Sequence, residues 1–299
     1  MSGRRVVSLL PAATDLVAAL GLSADLVGRT HECDWPVAEL AGVPVVTSTS
    51  LQPDDLSSRE ISAAVASSRT HTGSALYALD LDAFAAAAPE VVLTQELCEV
   101  CALSYGEVDR AVRAMQGSGP LVLSLQPATL TEVLALLPRV GAVLGVPEVA
   151  AQVLAALERR LDAVRASVAG RRTRRVVTVE WLDPCWPVGH WVPEQVEAAG
   201  GVDLLGEAGA HTVPTTWEVV HAADPEVLLL APCGFAPERT LAELDAVPGL
   251  ERFAEVWVLD GPAYFNRPGP RVVRGVEVLA QLLHGVGAPL RPGEAVRVR

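Results

Sequence analysis

The chain has 299 residues, of which 50% are hydrophobic, 20% charged and 4% aromatic. That composition builds a large core and excludes a disordered chain, and the length suits about two domains. With 23 Lys and Arg against 36 Asp and Glu the net charge is −13, which repels phosphate backbones and argues against nucleic acid as a partner.

In chain order, Arg5–Leu10 reads as a first strand. Ser8 and Pro11 interrupt its apolar run and Asp15 follows without a cleavage site, so it is not read as a signal peptide. As written the chain is expected in the cytoplasm, or in the periplasm or outside the cell if an export signal is missing from this chain. No run reaches the ~18–20 apolar residues of a membrane span, so it is read as not membrane-spanning. Strand candidates Leu26–Arg29, Val43–Thr47, Val91–Gln95 and Leu121–Leu125 alternate with helix candidates Ala12–Leu22, Asp82–Ala88, Ser104–Met115 and Leu130–Leu144. The polar stretch Ser48–Leu76 is an insertion that reads as a lid, and the role of its His71 is not readable.

From Pro147 to Gly170, Val149, Val153, Leu154, Leu157, Leu161 and Val164 recur at spacings of three and four. This is one amphipathic helix, spanning roughly 36 Å at ~1.5 Å per residue, with Pro suited to its first turn and Gly to its end. Strands near Arg175–Trp181, Val227–Ala231 and Val256–Leu259 then alternate with helices at Glu194–Ala199, Thr240–Ala246 and Arg271–Leu283. The expected fold is α/β, with two doubly wound, Rossmann-like lobes (1–146 and 171–299) joined by a long rigid backbone helix (147–170).

The two halves repeat one another. Leu81-Asp82-Ala-Phe-Ala-Ala-Ala-Ala-Pro89-Glu90-Val-Val-Leu93 aligns with Trp217-Glu218-Val-Val-His-Ala-Ala-Asp-Pro225-Glu226-Val-Leu-Leu229, and Arg4-Arg5-Val6-Val7 with Arg174-Arg175-Val176-Val177. A carboxylate near the start of a helix is common on dipole grounds alone, but the paired spacing points to duplication of one design.

Ligands of open α/β sheets sit beyond the carboxyl ends of the strands, and several unusual residues fall there. His31 and Cys33 follow the second strand, and Cys98 and Cys101 follow the fourth. Together they make a possible N/S set for zinc or iron; a C-x-x-C pair is equally a redox couple or two structural thiols. Five cysteines in a reducing compartment do not read as a disulfide framework. In the second half, Trp181, Trp186 and Trp191 crowd a segment broken by Pro, Gly and His, a loop suited to flat apolar ligands or to packing on its own lobe. Trp181 is assigned to the core; Trp186 and Trp191, with Trp35, Tyr77, Tyr264 and Phe265, are the candidate ligand walls, and His190 a candidate donor to a metal centre. His211, His221 and His284 receive no site role. There is no G-x-S-x-G elbow, H-E-x-x-H or phosphate-binding loop, and Pro11 stands where a dinucleotide fingerprint needs glycine.

Val-Val-Ser-Leu-Leu-Pro-Ala-Ala-Thr-Asp (6–15), Cys-Asp-Trp-Pro (33–36), Ala-Pro-Glu-Val-Val-Leu (88–93), the long central helix, Glu-Gln-Val-Glu-Ala-Ala-Gly-Gly (194–201), Asp-Pro-Glu-Val-Leu-Leu-Leu (224–230) and the Arg267–Arg271 segment resemble the class III substrate-binding proteins of ABC importers, in particular the cobalamin-binding branch. The resemblance implies a ligand held in a cleft between two lobes, without catalysis or a required cofactor. It also implies a carboxylate on each lobe that meets arginines of a permease. The aligned repeat places these at Asp82 and Glu218, Asp82 being shorter than the glutamate usual there. The expected function is therefore corrinoid binding for import, with Trp35, Tyr77, Trp186, His190, Trp191, Tyr264 and Phe265 as ligand contacts. The alternative is a cytoplasmic metal- or thiol-dependent enzyme centred on His31, Cys33, Cys98 and Cys101.

Overall fold

The computed structural model describes residues 3–49, 56–70, 77–95 and 119–299. They form two compact units: Met1–Leu56, Ala63–Gln126 and Ala135–Val153 in the first, and Ser57–Ser62, Pro127–Leu134 and Leu154–Arg299 in the second.

In the first half the order is β1 (Val6–Ser8), α1 (Pro11–Ala19), β2 (Leu26–Arg29), α2 (Val37–Leu40), β3 (Thr47–Thr49), α3 (Ser58–Thr70), β4 (Tyr77–Leu79), α4 (Leu81–Ala87), β5 (Val91–Thr94), β6 (Leu121–Ser124), α5 (Leu130–Leu144) and α6 (Pro147–Val168). The first unit is built on a parallel sheet ordered β2-β1-β5-β6. Its central strands, Val-Val-Ser and Val-Val-Leu-Thr, are buried along their whole length, as parallel strands covered on both faces must be. Val7, Leu9, Val46, Phe84, Ala87 and Val92 form the core beside them. Pro11 opens α1, where its missing N–H costs nothing.

The second half continues β7 (Arg174–Trp181), β8 (Trp186–Pro187), α7 (Val192–Ala198), β9 (Gly201–Asp203), α8 (Trp217–Ala222), β10 (Val227–Leu230), α9 (Pro237–Ala242), β11 (Val256–Leu259), α10 (Gly261–Tyr264), α11 (Val272–His284) and β12 (Ala295–Arg297). Its sheet is ordered β12-β11-β10-β7-β8, and β9 also pairs β7. β8 and β12 run antiparallel to their neighbours. Val177, Val179, Leu228, Leu230, Val256 and Val258 pack with Leu182, Trp217 and Phe253 in the core.

The sequence repeat is a structural repeat. The parallel order β9-β7-β10-β11 matches β2-β1-β5-β6, and the central pairs open alike, Val6 opposite Val91 and Val176 opposite Val227. Ala88 and Asp224, each just before the repeat proline, take left-handed backbone at φ 41° and 49°. In each unit the order reverses beside the first strand, between β1 and β5 and between β7 and β10. Such a switch point is where the ends of neighbouring loops diverge and leave room for a ligand.

The expected helices and strands recur with ends moved by a few residues, with three exceptions. Val43–Thr47 is a bridge at Val45 followed by β3. Thr240–Ala246 divides into the end of α9 and a 3-10 turn, Leu244–Ala246. The 48–76 stretch contains α3 and leads into β4, which pairs antiparallel with β3. Ser104–Met115 and His71 lie outside the described residues.

Candidate functional site

At the carboxyl end of β1 the first unit carries a buried hydroxyl and thiol cluster. Thr14 Oγ1 lies 2.8 Å from Ser8 Oγ and 3.0 Å from Cys33 Sγ, and Thr30 Oγ1 is 3.2 Å from the same sulfur. Arg29 Nη1 donates to the carbonyls of Thr30 and Cys33, fixing the turn after β2. Cys33 is thus a buried thiol among hydroxyls. His31 Nδ1 faces Thr47 Oγ1 at 2.8 Å, and its Nε2 is 3.5 Å from Glu32. Cys98 and Cys101 lie outside the described residues. No group of three His, Cys, Asp or Glu able to hold a metal occurs among the described residues. Trp35, two residues beyond Cys33, is 37% exposed, and Tyr77 opens β4.

The second unit gathers aromatic and charged groups beyond β7 and β10. The rings of Trp181 and Phe235 lie 5.0 Å apart at 58°, and the Arg239 guanidinium stands 3.8 Å above the Phe235 ring, a cation–π distance. Trp181, expected in the core, is half-buried, and its indole N–H faces Ser62 Oγ at 2.7 Å, with the carbonyls of Ser58 and Asp183 at 3.2 Å. The start of α3 is thereby fastened to this end of the sheet, and Arg59 Nε adds an ion pair to Asp183 at 2.7 Å. Trp186, in β8, is half-buried. Tyr264 is also half-buried, with the Arg271 guanidinium 5.9 Å from its ring; burial first, then the charges of Glu294 and Asp260, push its hydroxyl pKa up.

Two expected wall residues are buried. Trp191 is 7% exposed and Phe265 1%, because the Trp191 indole N–H donates to the Phe265 carbonyl at 2.8 Å. Both are packed inside the second unit. His190 is half-buried beside exposed His211, with Nε2 to Nδ1 at 3.2 Å; burial, then the neighbouring His211, lowers its pKa. Burial pushes the Cys185 thiol up to about 12, which removes it as a thiolate nucleophile at neutral pH. The sequence reading missed Arg239 and the buried Phe235 ring that it covers. Their signal was position: Pro232-Cys-Gly-Phe235 follows a fully buried strand after one intervening residue.

Asp82 and Glu218 are the exposed second residues of α4 and α8, equivalent positions in the repeat. The hydroxyl of Thr216, then the backbone N–H of Glu218 itself, lowers the Glu218 pKa.

Compared with known proteins, residues 6–254 match the profile of a family described as "Periplasmic binding protein". A comparison with curated proteins gives no match. Among solved structures, a periplasmic heme binding protein from Pseudomonas aeruginosa is 20% identical with TM-score 0.71, covering 99% of this chain and 98% of that one. The periplasmic vitamin B12 binding protein of Vibrio cholerae is also 20% identical, with TM-score 0.62 over 94% of this chain and 96% of its own. An ABC-type Fe3+-hydroxamate transport system protein from Saccharomonospora viridis is 19% identical, with TM-score 0.63 over 94% and 93%. Likeness at these identities shows a shared fold.

Proposed function

The chain belongs to the periplasmic binding protein family, and on that premise we propose that it is the substrate-binding component of an ABC importer whose ligand is a corrinoid or a comparable planar metal chelate. The family comprises solute-binding proteins of transporters, not enzymes, and is periplasmic or extracellular. Among the described residues no helix is long and apolar enough to cross a membrane.

The observation that carries the ligand class is the surface at the carboxyl ends of β7 and β10. Trp181 and Trp186 stand half-buried there on adjacent strands, Trp181 backed by the buried Phe235 ring, with the half-buried Arg239 guanidinium beside it. Rigid rings give large contact area to a flat ligand at little entropic cost, and planar guanidinium groups suit the amide or carboxylate arms at its rim. Trp35, Tyr77, Tyr264 and His190 remain proposed contacts. Trp191 and Phe265 are withdrawn because they are buried. Asp82 and Glu218 are the proposed contacts to a permease. The structural neighbours support the class: the two named for a heme and for vitamin B12 take planar metal chelates.

The test is titration of the reduced protein with cobalamin, cobinamide and heme, followed by tryptophan fluorescence and calorimetry. The expected result is saturable one-to-one corrinoid binding, weakened ~10-fold in Trp186→Ala, in keeping with the ~1.5 kcal/mol upper value for a lost ring contact. Heme binding alone would overturn the corrinoid assignment and leave the planar chelate. Binding of none of the three would overturn both.

A further inference from the structure

We infer that His190 and His211 form a two-imidazole site for a borderline divalent transition-metal ion such as Ni2+, Cu2+ or Zn2+. The site lies within the second unit and shares His190 with the contacts proposed for the ligand, so it extends that reading at His190 and goes beyond it at His211. Two nitrogens, each ~2.0–2.1 Å from one ion and separated by an angle of ~90–110°, stand about 2.9–3.4 Å apart. His190 Nε2 and His211 Nδ1 stand 3.2 Å apart, with their rings edge to face at 89°. In the metal-free pair one nitrogen donates a proton to the other. A modest turn of the exposed His211 ring about its broad terminal torsion brings both lone pairs onto an ion in place of that proton.

The backbone is arranged to hold the pair. His190 occupies left-handed backbone at φ 50°, a conformation that costs a non-glycine residue about 1 kcal/mol or more and marks functional sites when the surroundings enforce it. Two hydrogen bonds enforce it here: His190 N–H donates to the Ala210 carbonyl, and Gly209 N–H to the His190 carbonyl, both at 2.9 Å. This pairing brings residues 189–190 against 209–211. It needs glycine at 189, because a Cβ there would sit 2.5 Å from the Ala210 carbonyl oxygen and 2.9 Å from the Thr212 methyl. Thr212 is itself anchored, its hydroxyl donating to Glu180 at 2.8 Å.

Since the described residues supply no third metal-binding side chain, the remaining coordination positions fall to water or to donors of a small molecule. Imidazole ligands without thiolate favour Cu2+ over Ni2+ and Zn2+ in affinity. Trp191 reports occupancy, its ring centroid lying 5.7 Å from that of His190.

The experiment uses the untagged full chain, free of added corrinoid, titrated with Ni2+ at neutral pH and followed by tryptophan quenching and calorimetry. One equivalent is expected to bind saturably and quench, and binding should weaken as pH falls because protons compete for the same lone pairs. His211→Gln, an exposed change that leaves the fold intact, should weaken binding at least ~10-fold, since loss even of an outer partner of a metal ligand costs that much. His190→Gln should do the same and His284→Gln should not. No saturable binding into the low-millimolar range, or binding that survives in His211→Gln, would overturn the site. Corrinoid binding is measured separately, without the metal; His211→Gln tests the metal site alone, whereas His190→Gln also removes a proposed corrinoid contact.

Discussion

Glu90 and Glu226 perform one task in two places. Glu90 Oε2 accepts the Arg5 backbone N–H and Glu226 Oε2 accepts that of Arg175, each at 2.9 Å. The Glu90 and Glu226 backbone N–H groups return bonds to the Arg5 and Arg175 carbonyls at 2.8 and 2.9 Å. Each Pro-Glu pair therefore fastens the start of one central strand to the start of the next, which explains why it recurs in both halves. The Arg175 backbone bond lowers the Glu226 pKa, and contacts from Arg172 and Arg174 add to it against the opposing effect of burial. A carboxylate depressed on folding contributes stability above its unfolded pKa of about 4.3 and loses it as pH falls through the folded value. Glu226→Ala is thus expected to cost about 1–2 kcal/mol at neutral pH, as for a hydrogen bond to a partly exposed charged group. Urea midpoints of the two proteins should converge in acid; an equal gap at neutral and acid pH would mean that the charge contributes nothing.

At the scale of elements, α11 shows how a buried charge is tolerated. Arg274 is 5% exposed, yet its Nε and Nη2 donate to Glu294 at 2.8 and 2.6 Å, its Nη1 to Glu277 at 3.0 Å, and Nη2 also to the Pro289 carbonyl at 2.8 Å. Arg160, on α6, holds Glu277 through two further bonds of 2.7 and 3.0 Å. The network pins the segment before the edge strand β12. Removing one partner of a buried pair leaves the other charge desolvated and unpaired, so Glu294→Ala should lower stability by about 3 kcal/mol. Amide exchange at 295–298 should accelerate more than in β10, and uniform acceleration would show that the network does not act locally. The buried strands β1, β5 and β10 were legible because continuous apolar runs are what a doubly covered parallel sheet requires. Helices α5, α6 and α11 were legible from their apolar spacing. β8, with two residues, and β9, with the sequence Gly-Val-Asp, are too short to show a period and exist only through pairing with β7. The aromatic segment, expected as a loop, holds the end of β7, the short strand β8 and the start of α7, and Trp181 and Trp191 exchange the burial expected of them. Trp191 finds its partner 74 residues away at Phe265, and Trp181 meets Ser58 and Ser62 more than a hundred residues back. No local pattern reports such contacts. The pairing of His190 with His211 was hidden for the same reason: His190 alone stood out as a metal donor, and nothing local pointed to His211, 21 residues on.

For the molecule as a whole, duplication supplies a testable account of the proposed docking carboxylates. Asp82 and Glu218 occupy the same position in each repeat, second in a short helix that runs into a Pro-Glu turn and a central strand. Beside them Leu81 is 59% exposed and Val219 44%, so each helix start presents an apolar contact next to an exposed charge, the mixture that recognition surfaces use. With a net charge of −13 on the chain, approach to a permease bearing arginines is accelerated at low salt, whichever carboxylate is removed. The two effects separate by position. Asp82→Arg and Glu218→Arg should each weaken binding to a reconstituted permease at least ~10-fold, the effect of setting like charges against each other at an interface. A reversal at Asp245, also on the surface, changes net charge equally and should alter mainly the salt dependence. Titration of the ligand in the absence of permease should be unchanged in all three variants. If the Asp245 variant loses as much permease binding as the other two, attraction is diffuse and neither repeat position is a docking point. If only Glu218→Arg has an effect, the shorter Asp82 side chain fails to reach its partner, and the duplicated position is used on one unit alone.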